Sequence, residues 1–444
     1  MISSWRKKRA SRQANKRDGL DDLSNVEISI PNHFRCPISL DLMKDPVTLS
    51  SGITYDRCSI ETWIEAGNNT CPITKQVLNT LEPTPNHALR KMIQDWCVVN
   101  KSYGIERIPT PRIPLSSHQV TEMLSRLVAA CRREEASACG EVVGRIKRLA
   151  KESEKNKRCF VANGTVGVLA SVFETFSKTN FDKNAPVLEE VLLVISMMTP
   201  LDGEAKSFLG SDSSLKCMVR FLSGGDLSVR TNSVLVLKHV LSTDQKKMEE
   251  FAKIEGSLEA LVKLIEEPVS TTTTKASLII IYYMVSTSSS SRSVEKIVTR
   301  FTDMGLVERL LEMLMDCEKS ICEKALGVLD GLCLYKQGRE KAYANALTMP
   351  VLVKKILRVS DLATEFSVSI VWKLSKNEKR EDGGVIVEAL QVGAFQKLLL
   401  LLQFGCSDRI KDKATDLLKL LNLHREKLEE CIDSMDFKNL KRPS

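Results

Sequence analysis

The sequence predicts a mostly α-helical protein in which a small α+β unit precedes an α-solenoid. Three observations lead to this fold class. A β-hairpin signal is confined to the N-terminal part of the chain, helix-period segments follow one another through residues 117–432, and those segments recur at intervals of roughly 40 to 50 residues. Aromatic residues make up only 5% of the 444 residues, which suits a helical core packed with aliphatic side chains.

The composition is that of a chain that buries a core in a reducing compartment. Hydrophobic residues make up 43% of the chain. The 13 cysteines show no paired spacing and follow no apolar signal segment, so we expect reduced thiols and a cytoplasmic location. Apolar runs such as "LIIIYYMV" from Leu278 and "LLLLL" from Leu398 fall short of the roughly 20 residues that cross a bilayer. We therefore expect no transmembrane segment.

Residues 1–28 form a basic tail without apolar periodicity and are predicted to be disordered. The segment "WRKKRASRQANKR", which begins at Trp5, carries much of the net charge of +8. Three interpretations stay open: a solvated tail, a nuclear import signal, or a segment attracted to an anionic membrane surface. The last two would add a nuclear or a peripheral membrane location to the cytoplasmic one.

Residues 29–103 are predicted to form the small α+β unit. Val47–Leu49 and Ile53–Tyr55 are β-prone runs that flank Ser-Ser-Gly, which indicates a hairpin. Asp56 follows as the predicted N-cap of a helix, with its carboxylate accepting from amides of the first turn. The helix places three apolar side chains on one face: Ile60, Trp63 and Ile64.

A second helix is predicted to end this unit. Pro83 and Pro85 are expected to keep the preceding segment from pairing with a strand, and Asn86 is placed to cap the helix. Apolar residues then recur at helical spacing and are expected to face the core: Leu89, Met92, Ile93 and Trp96.

A proline-containing linker over residues 104–116 leads into the array of residues 117–432, and residues 433–444 are predicted to be a flexible tail. Within the array, a loop that ends in a small residue recurs before an apolar helix. These loops lie at Gly164, near Ser211, at Gly256, at Gly305, near Leu347 and at Gly393. The interval matches armadillo or HEAT repeats; the alternative is an irregular helical domain with chance similarity.

A second helix of the repeat keeps its register as well. Ala276, Ala325 and Ala414 lie at matching distances after the glycine of their own repeats. Small residues at one fixed point of a helix let the neighbouring helix approach closely, as stacked repeats require.

The segments "FRCPIS" and "NTCPIT" begin like the loops of a zinc ring but lack the second ligand. Ser39 and Thr74 stand where a C-x-x-C pair would have its second cysteine. A tetrahedral zinc site needs four ligands, and the candidates do not form the required pairs: His33, Cys36, Cys58, Cys71, His87 and Cys97. We therefore predict no metal, and a network of polar side chains that bridges the two loops in its place: Ser39, Asp56, Arg57, Glu61, Asn68 and Thr74.

The stretch "IPNHFRCPISLDLMKDPVTLSSGITYDRCSIETWIEAGNNTCPITKQVL", followed by "TPNHALRKMIQDWC", resembles a U-box. With the connector "YGIERIPTP" and the repeat array, the chain apart from its tail is similar to the plant U-box and armadillo ubiquitin ligases. The resemblance implies a zinc-free RING-like fold followed by armadillo-type repeats. It also implies a RING-type ubiquitin ligase, which promotes transfer of ubiquitin from a conjugating enzyme's thioester to a substrate lysine, without a covalent intermediate of its own and without a cofactor.

The resemblance also assigns partners and docking residues. The conjugating enzyme that carries ubiquitin would dock on loop residues and one helix residue: Pro37, Ile38, Trp63, Pro72, Ile73 and Lys75. Lys75 falls where the family often has a basic donor to both the conjugating enzyme and ubiquitin, and a lysine would bridge them more weakly than the planar fork of arginine. Trp63 stays open between docking and core.

The resemblance further implies that the array captures a protein substrate and that the protein acts in plant stress or defence signalling; self-association through the U-box is left open. The array contains a single tryptophan, Trp372, which argues against the Asn and Trp ladder of an import receptor. Cys36, Cys58 and Cys71 are interpreted as apolar thiols, and no nucleophile stands out among them. Two rivals remain: a non-catalytic armadillo adaptor with a degenerate U-box, and a nucleic-acid binder, which the missing ligand pairs disfavour.

Overall fold

The computed structural model describes residues 30–108, 115–242, 244–286, 292–378 and 384–434, with side chains of the last helix described up to Arg425. Two compact units make up the chain, and the boundary between them falls in the predicted linker. The predictions made for the basic tail, for most of the proline-containing linker and for the C-terminal tail from residue 435 lie outside the described residues.

The first unit is a small α+β fold. Its three-stranded antiparallel sheet has the order β2-β1-β3. The strands are β1 (Pro46–Thr48), β2 (Thr54–Asp56) and β3 (Thr84–Pro85), and the helices are α1 (Arg57–Glu65) and α2 (His87–Val99), with short 3-10 turns at Asn32–Phe34 and Lys101–Tyr103.

The predicted hairpin is confirmed, because β1 and β2 pair with Val47 opposite Tyr55. The expectation that Pro83 and Pro85 prevent pairing is wrong. Pro85 lies opposite Val47 in the short strand β3. A proline is tolerated there because β3 is an edge strand, where its missing N–H costs no ladder hydrogen bond.

The helix α2 begins as predicted, since the Asn86 side chain accepts a hydrogen bond from the Leu89 amide at 3.0 Å. Ile93 is fully buried, but Met92 is 52% exposed and does not belong to the core. The core of the unit lies between the sheet and both helices, around Tyr55, Ile60, Ile93 and two cysteines, Cys36 and Cys71.

The second unit is helical throughout its described part. It opens with a helix pair, α3 (Ser117–Arg132) and α4 (Ala136–Glu152). Three-helix repeats follow: α5 (Glu154–Ala162), α6 (Thr165–Ser177), α7 (Phe181–Met197); α8 (Gly203–Leu209), α9 (Asp212–Gly224), α10 (Leu227–Leu241); α11 (Gln245–Lys253), α12 (Ser257–Glu266), α13 (Thr271–Val285); α14 (Arg292–Asp303), α15 (Leu306–Met315), α16 (Lys319–Leu332); α17 (Lys336–Ala344), α18 (Thr348–Lys355), α19 (Asp361–Lys376); α20 (Gly384–Gln391), α21 (Ala394–Phe404), α22 (Asp408–Ser434).

The third helices of consecutive repeats stack side by side into one layer, from α4 and α7 through to α19 and α22. Their interior side chains join one continuous apolar core. Ala276, Ala325 and Ala414 are almost fully buried in this layer. The prediction of small residues at a fixed close-approach point is therefore confirmed.

The repeat glycines act at the start of the second helices. Gly164, Gly256, Gly305 and Gly393 each precede such a helix with φ between 72° and 82°. This left-handed conformation is accessible to glycine without steric cost. The two other repeat loops use different residues, and the Ser211 side chain caps α9 by accepting from the Ser214 amide.

Replacing Gly338 of α17 with Ala is expected to destabilise the array by about 1–3 kcal/mol. An added Cβ would lie 2.2 Å from the carbonyl oxygen of Leu332, and this backbone clash outweighs the gain of about 1 kcal/mol in helix propensity. The matched control is Gly140→Ala in α4, where a Cβ would meet nothing within 4 Å, and it is expected to stabilise. Urea unfolding followed by circular dichroism measures both changes; equal shifts in the two variants would contradict the clash.

Of the helices in the described ranges, none taken singly has the length and apolar character needed to cross a membrane. Two pairs that bend sharply at a break, α5 with α6 and α20 with α21, meet those criteria only when each pair is counted together.

Candidate functional site

Two loops of the first unit carry most of the predicted docking residues. Loop 1 comprises residues 35–42 and loop 2 comprises residues 70–77. An isolated antiparallel bridge closes each loop, between Arg35 and Leu42 in loop 1 and between Thr70 and Val77 in loop 2.

The two loops share one backbone structure. In loop 1 the Cys36 amide donates to the Asp41 carbonyl at 2.8 Å, and the Leu40 amide donates to the Cys36 carbonyl at 2.8 Å. The same bonds recur in loop 2, from Cys71 to Gln76 at 2.8 Å and from Lys75 to Cys71 at 2.9 Å. The repeated "CPI" in the sequence is thus a repeated structure.

One residue in each loop adopts the left-handed conformation. Leu40 has φ 62° and Lys75 has φ 60°. Neither is glycine, so each position carries backbone strain. The left-handed residue turns the chain back toward the bridge that closes its loop.

The sulfur of Cys36 is the acceptor at the centre of loop 1. The Asp56 amide donates to it at 3.3 Å. Burial alone would raise the pKa of this thiol, but backbone N–H groups of Ser39, Asp56 and Ile38 lower it. Ser39 therefore holds its own loop through its amide rather than bridging to loop 2, and its hydroxyl accepts from the Asp41 amide at 3.4 Å.

The sulfur of Cys71 is the corresponding hydrogen-bond acceptor in loop 2. The Ser51 hydroxyl donates to it at 3.2 Å, and the Tyr55 hydroxyl lies 3.0 Å away. Burial would raise the pKa of the Cys71 thiol, but hydrogen bonds from Ser51, Thr74 and Tyr55 lower it to about 6. The interpretation of Cys36 and Cys71 as apolar thiols misses these bonds.

Strand β2 connects the two loops. Its consecutive residues Tyr55 and Asp56 reach different sulfurs, Tyr55 that of Cys71 and Asp56 that of Cys36. The link between the loops therefore runs through a strand and two sulfur atoms. The predicted direct bridge of polar side chains between the loops is not found among the described contacts.

Asp56 occupies the N-cap position of α1 but does not cap that helix with its side chain. Its carboxylate instead accepts from the amides of Lys44 at 2.8 Å and Asp45 at 2.9 Å. The capping prediction is wrong because the segment that leads into β1 supplies two free amides closer to the carboxylate. Asp56 thus ties the end of loop 1 to β2.

An ion-pair cluster that the sequence did not predict holds the segment between loop 1 and β1 against both helices. The Arg57 Nε donates to the Asp45 Oδ2 at 2.7 Å, and Arg90 of α2 pairs with the other oxygen of Asp45. The Arg90 side chain is only 10% exposed. Asp45 is therefore the common acceptor for one arginine from each helix.

The two remaining residues of the predicted network act elsewhere. Glu61 lies 3.5 Å from Arg57 one helical turn earlier. The Asn68 side-chain amide donates to the Trp63 carbonyl at 3.0 Å and caps the end of α1. Its prediction as a loop-bridging residue is corrected, because the unsatisfied carbonyls at the end of α1 lie next to it in the chain.

The predicted docking side chains differ in exposure. Ile38 is 39% exposed and Ile73 is 52% exposed, at matching positions of loops 1 and 2. Pro37 and Pro72 beside them are half-buried. Large apolar side chains on loops held by internal hydrogen bonds are preorganised for contact with a partner.

Trp63 combines the two roles that the sequence left open. It is half-buried against the core of the unit, and its indole Nε1 donates to the Thr70 carbonyl at 2.8 Å, which fixes loop 2 to α1. The ammonium of Lys75 lies 5.9 Å from the centre of its ring. The outer face of the indole thus lies beside loop 2.

The low pKa of Cys71 predicts a pH dependence of stability. The folded pKa of about 6 lies below the usual 9.0, so the folded state binds fewer protons between these values. Stability of the first unit is expected to rise with pH across this window and to lose this contribution as pH falls through about 6. Hydrogen exchange of peptides within residues 30–108, corrected for the intrinsic rate, measures it.

Cys71→Ala is expected to flatten this pH dependence, apart from the smaller contribution of Cys36. Cys58→Ala is the control, because Cys58 is exposed and should leave the slope unchanged. An identical slope in native protein and Cys71→Ala would show that the Cys71 thiol is not the titrating group.

Across the described ranges, no group of His, Cys, Asp and Glu side chains is arranged to hold a metal ion. No general base is paired with a nucleophile in the two loops. The site therefore offers two exposed apolar side chains, Ile38 and Ile73, on rigid loops, and the Lys75 ammonium beside the Trp63 indole.

Comparisons with known proteins identify both units. Residues 30–102 match the family model for the U-box domain, and residues 119–442 match that for the plant U-box protein ARM repeat region. The chain is 46% identical over 418 residues to U-box domain-containing protein 21 of Arabidopsis thaliana, which covers 94% of each chain. It is 35% identical over 406 residues to E3 ubiquitin-protein ligase PUB23 of the same organism, which covers 90% of this chain and 94% of that one.

Among solved structures, the designed armadillo repeat protein YIII(Dq)4CqI aligns with 56% of this chain and 98% of its own, at 16% identity and a TM-score of 0.46. The two family matches, together with the helices of the second unit, confirm the predicted fold class of a U-box followed by armadillo-type repeats.

Proposed function

Because this chain belongs to the plant U-box proteins with an armadillo repeat region, we propose that it is a RING-type E3 ubiquitin-protein ligase that docks a ubiquitin-conjugating enzyme on loops 1 and 2. The observation that carries the proposal is the pair of matched loops, each of which projects an exposed isoleucine from a hydrogen-bonded backbone. The ligase acts by positioning the thioester of the conjugating enzyme, and no covalent intermediate forms on it.

The docking surface consists of Pro37, Ile38, Trp63, Pro72, Ile73 and Lys75. Ile38 and Ile73 are its apolar anchors, and the same loops carry polar residues as well as the exposed apolar side chains of Leu40 and Val77. A few anchors with a polar rim suit a partner that must bind weakly enough to be exchanged after each transfer. The structural support for loop 2 comes from Trp63 through its bond to Thr70.

Lys75 is the basic donor of this surface. It is exposed and has its left-handed backbone fixed by the bond from its amide to Cys71. We propose that its ammonium donates hydrogen bonds to the conjugating enzyme and to ubiquitin, and thereby stabilises the reactive thioester conformer. As a single flexible donor, it would do so less strongly than arginine.

We propose the array as the substrate-capturing part. Its third helices form a layer that runs through all the repeats, and polar side chains join neighbouring helices across it. Examples are Lys147 with Glu190 at 2.7 Å and Lys373 with Asp330 at 2.7 Å. Stacked helical repeats of this kind offer an extended binding surface.

Three further parts of the proposal go beyond the ligase function, and only the first of them rests on the family resemblance. The first is a role in plant stress or defence signalling. The second is a cytoplasmic location, with the nucleus or a membrane surface as alternatives that depend on the basic tail. The third is self-association through the U-box. Each stays a prediction.

A reconstituted reaction tests the ligase function. The full chain is combined with activating enzyme, a panel of conjugating enzymes, ubiquitin and ATP, and ubiquitin chains on the protein itself are followed by immunoblot. We expect chain formation with some members of the panel and none when the conjugating enzyme is omitted. Absence of any ligase-dependent product with the whole panel would favour the non-catalytic adaptor.

A further inference from the structure

A cavity of about 320 Å³ opens on the array where the α15–α16 loop meets the end of α18. It lies in the second unit, and all of its lining residues are described. Its cationic lining residues are Lys319, Lys354, Lys355 and Arg358, and the remaining ones are Met315, Asp316, Cys317 and Val359. We call this cavity, with its four cations, the cationic pocket. Asp316 is the one carboxylate among the lining residues.

The four cations of the pocket lack the carboxylate partners that nearby cations have. Lys275 pairs with Glu318, and Arg309 pairs with Glu312 at 3.1 Å. Within the described part of the chain, none of the four cationic side chains of the pocket forms an ion pair or donates a hydrogen bond to an oxygen. These are the side chains of Lys319, Lys354, Lys355 and Arg358. The lining of this cavity therefore carries a net positive charge, with four cations and the single carboxylate of Asp316.

Lys355 is the most informative of the four. The residue is only 8% exposed, yet it lines the pocket and its ammonium has no oxygen partner among the described residues. Its side chain interacts with the Cys322 thiol. A hydrogen bond with Cys317, together with the charge of Lys355, lowers the pKa of Cys322. The Lys355 ammonium therefore has donors that an anion in the pocket can accept from.

The neighbouring Lys397 strengthens the positive field without competing for a ligand. Its ammonium donates to the carbonyls of Val353 at 2.8 Å and Ile356 at 3.1 Å, at the end of α18. Burial lowers the pKa of Lys397, and the charge of Arg358 lowers it further. The Lys397 ammonium thus offsets the negative end of the α18 dipole next to the pocket. Its own donors are already used by backbone carbonyls.

We propose that the cationic pocket binds the phosphate of a phosphorylated serine or threonine in a bound protein. This inference rests on the proposed substrate-capturing role of the array. A phosphomonoester carries close to two negative charges and presents three acceptor oxygens, which matches several unpaired donors better than a single carboxylate does. The 14-residue helix α16 begins at Lys319, which lines the pocket, so the positive end of the helix dipole lies beside the pocket and favours an anion.

The local charges favour a protein phosphate over an extended polyanion. Nucleic acid would need cations spaced along several phosphates, whereas Lys275 and Arg309 beside the pocket are already paired. Met315 lines the pocket and is 50% exposed. It offers an apolar contact to the residue next to the phosphate in a peptide. Because Lys355 is mostly buried, a phosphorylated side chain can contact its ammonium only by entering the pocket.

The test uses the full chain and a fluorescent peptide pool with a fixed central phosphoserine or phosphothreonine. The same pool without phosphate, a single-stranded RNA, and vesicles that contain phosphatidylinositol phosphate are the comparison probes. We expect the phosphorylated pool to bind and the unphosphorylated pool to bind at least about tenfold more weakly, because hydrogen bonds between charged groups are among the strong ones.

The variant Lys354→Gln/Arg358→Gln is expected to weaken phosphopeptide binding by about tenfold or more, since both side chains are exposed and the fold should be retained. Lys355→Met is a second variant, whose thermal unfolding is recorded alongside. The matched control is Lys216→Gln, an exposed lysine of another repeat that pairs with Asp212, and it should bind the phosphorylated pool like the native chain.

Equal binding of both pools, or phosphopeptide binding that is unchanged in the double variant, would overturn the proposal. So would loss of only RNA or vesicle binding in that variant, because the cations would then serve a different partner. Autoubiquitination is measured on the same samples. If it is retained while phosphopeptide binding fails, only the pocket assignment falls, whereas its absence in the native chain overturns the ligase function.

Discussion

Replacing Ile38 with Ala is expected to reduce ubiquitin transfer by about tenfold or more, to near the rate of the conjugating enzyme alone. Ile38 is one of the two apolar anchors of the proposed docking surface, and truncating it removes apolar contacts with the partner that its neighbours do not replace. The fold should remain, because Ile38 is 39% exposed and the hydrogen bonds of loop 1 are made by backbone. We expect a stability loss of about 1 kcal/mol or less.

The measurement is discharge of ubiquitin from a loaded conjugating enzyme, with thermal unfolding recorded on the same preparation. Val99→Ala is the matched control, since Val99 is 77% exposed on α2 and lies outside both loops. Full activity in Ile38→Ala would remove loop 1 from the docking surface. Equal losses in both variants would point to a general effect of surface truncation.

Replacing Asp45 with Ala is expected to destabilise the first unit by about 3 kcal/mol. The change leaves Arg90 without its carboxylate partner at a position where its side chain is 10% exposed, and it removes the 2.7 Å bond to Arg57. Removing one partner of a buried ion pair is more costly than removing both, because the remaining charge stays desolvated. Ubiquitin transfer should fall along with the folded fraction.

Asp41→Ala is the matched control. Asp41 is an exposed aspartate of loop 1, close to Asp45 in the chain, and its role in the loop is carried by its backbone carbonyl, so we expect a change within about 0.5 kcal/mol. Hydrogen exchange within residues 30–108 reports both variants without interference from the array. The double change of Asp45 to Asn and Arg90 to Met should recover part of the lost stability, and no recovery would argue against Arg90 as the source of the cost.

Much of the fold could be predicted because its signals are local. A glycine that adopts a left-handed conformation before the apolar helix, as at Gly256 and Gly305, marks four of the six repeats in the sequence itself. The hairpin was equally visible. Strand β3 has no such local signal, because proline excludes pairing in a central strand and only the folded sheet places Pro85 on an edge.

The candidate site was predicted in outline but not in its contacts. Ser39 and Thr74 marked the two loops correctly, but the loops are held by hydrogen bonds to the sulfur atoms of Cys36 and Cys71, and the donors of those bonds could not be identified from the sequence. The pairing of Asp45 with Arg90 joins residues far apart in the chain. Only the repeat of "CPI" at Cys36 and Cys71 could have indicated that both loops share one geometry.

The left-handed backbone of Lys75 sets stability against activity at a single residue. Glycine would adopt φ 60° without steric cost, so Lys75→Gly should relax the loop and raise stability by up to about 1 kcal/mol. It would also delete the ammonium proposed to bridge enzyme and ubiquitin. Selection for thermal stability alone should therefore favour glycine at position 75 and yield a more stable protein with slower ubiquitin transfer. In Lys75→Gly, the unfolding temperature should rise and the rate of ubiquitin discharge should fall.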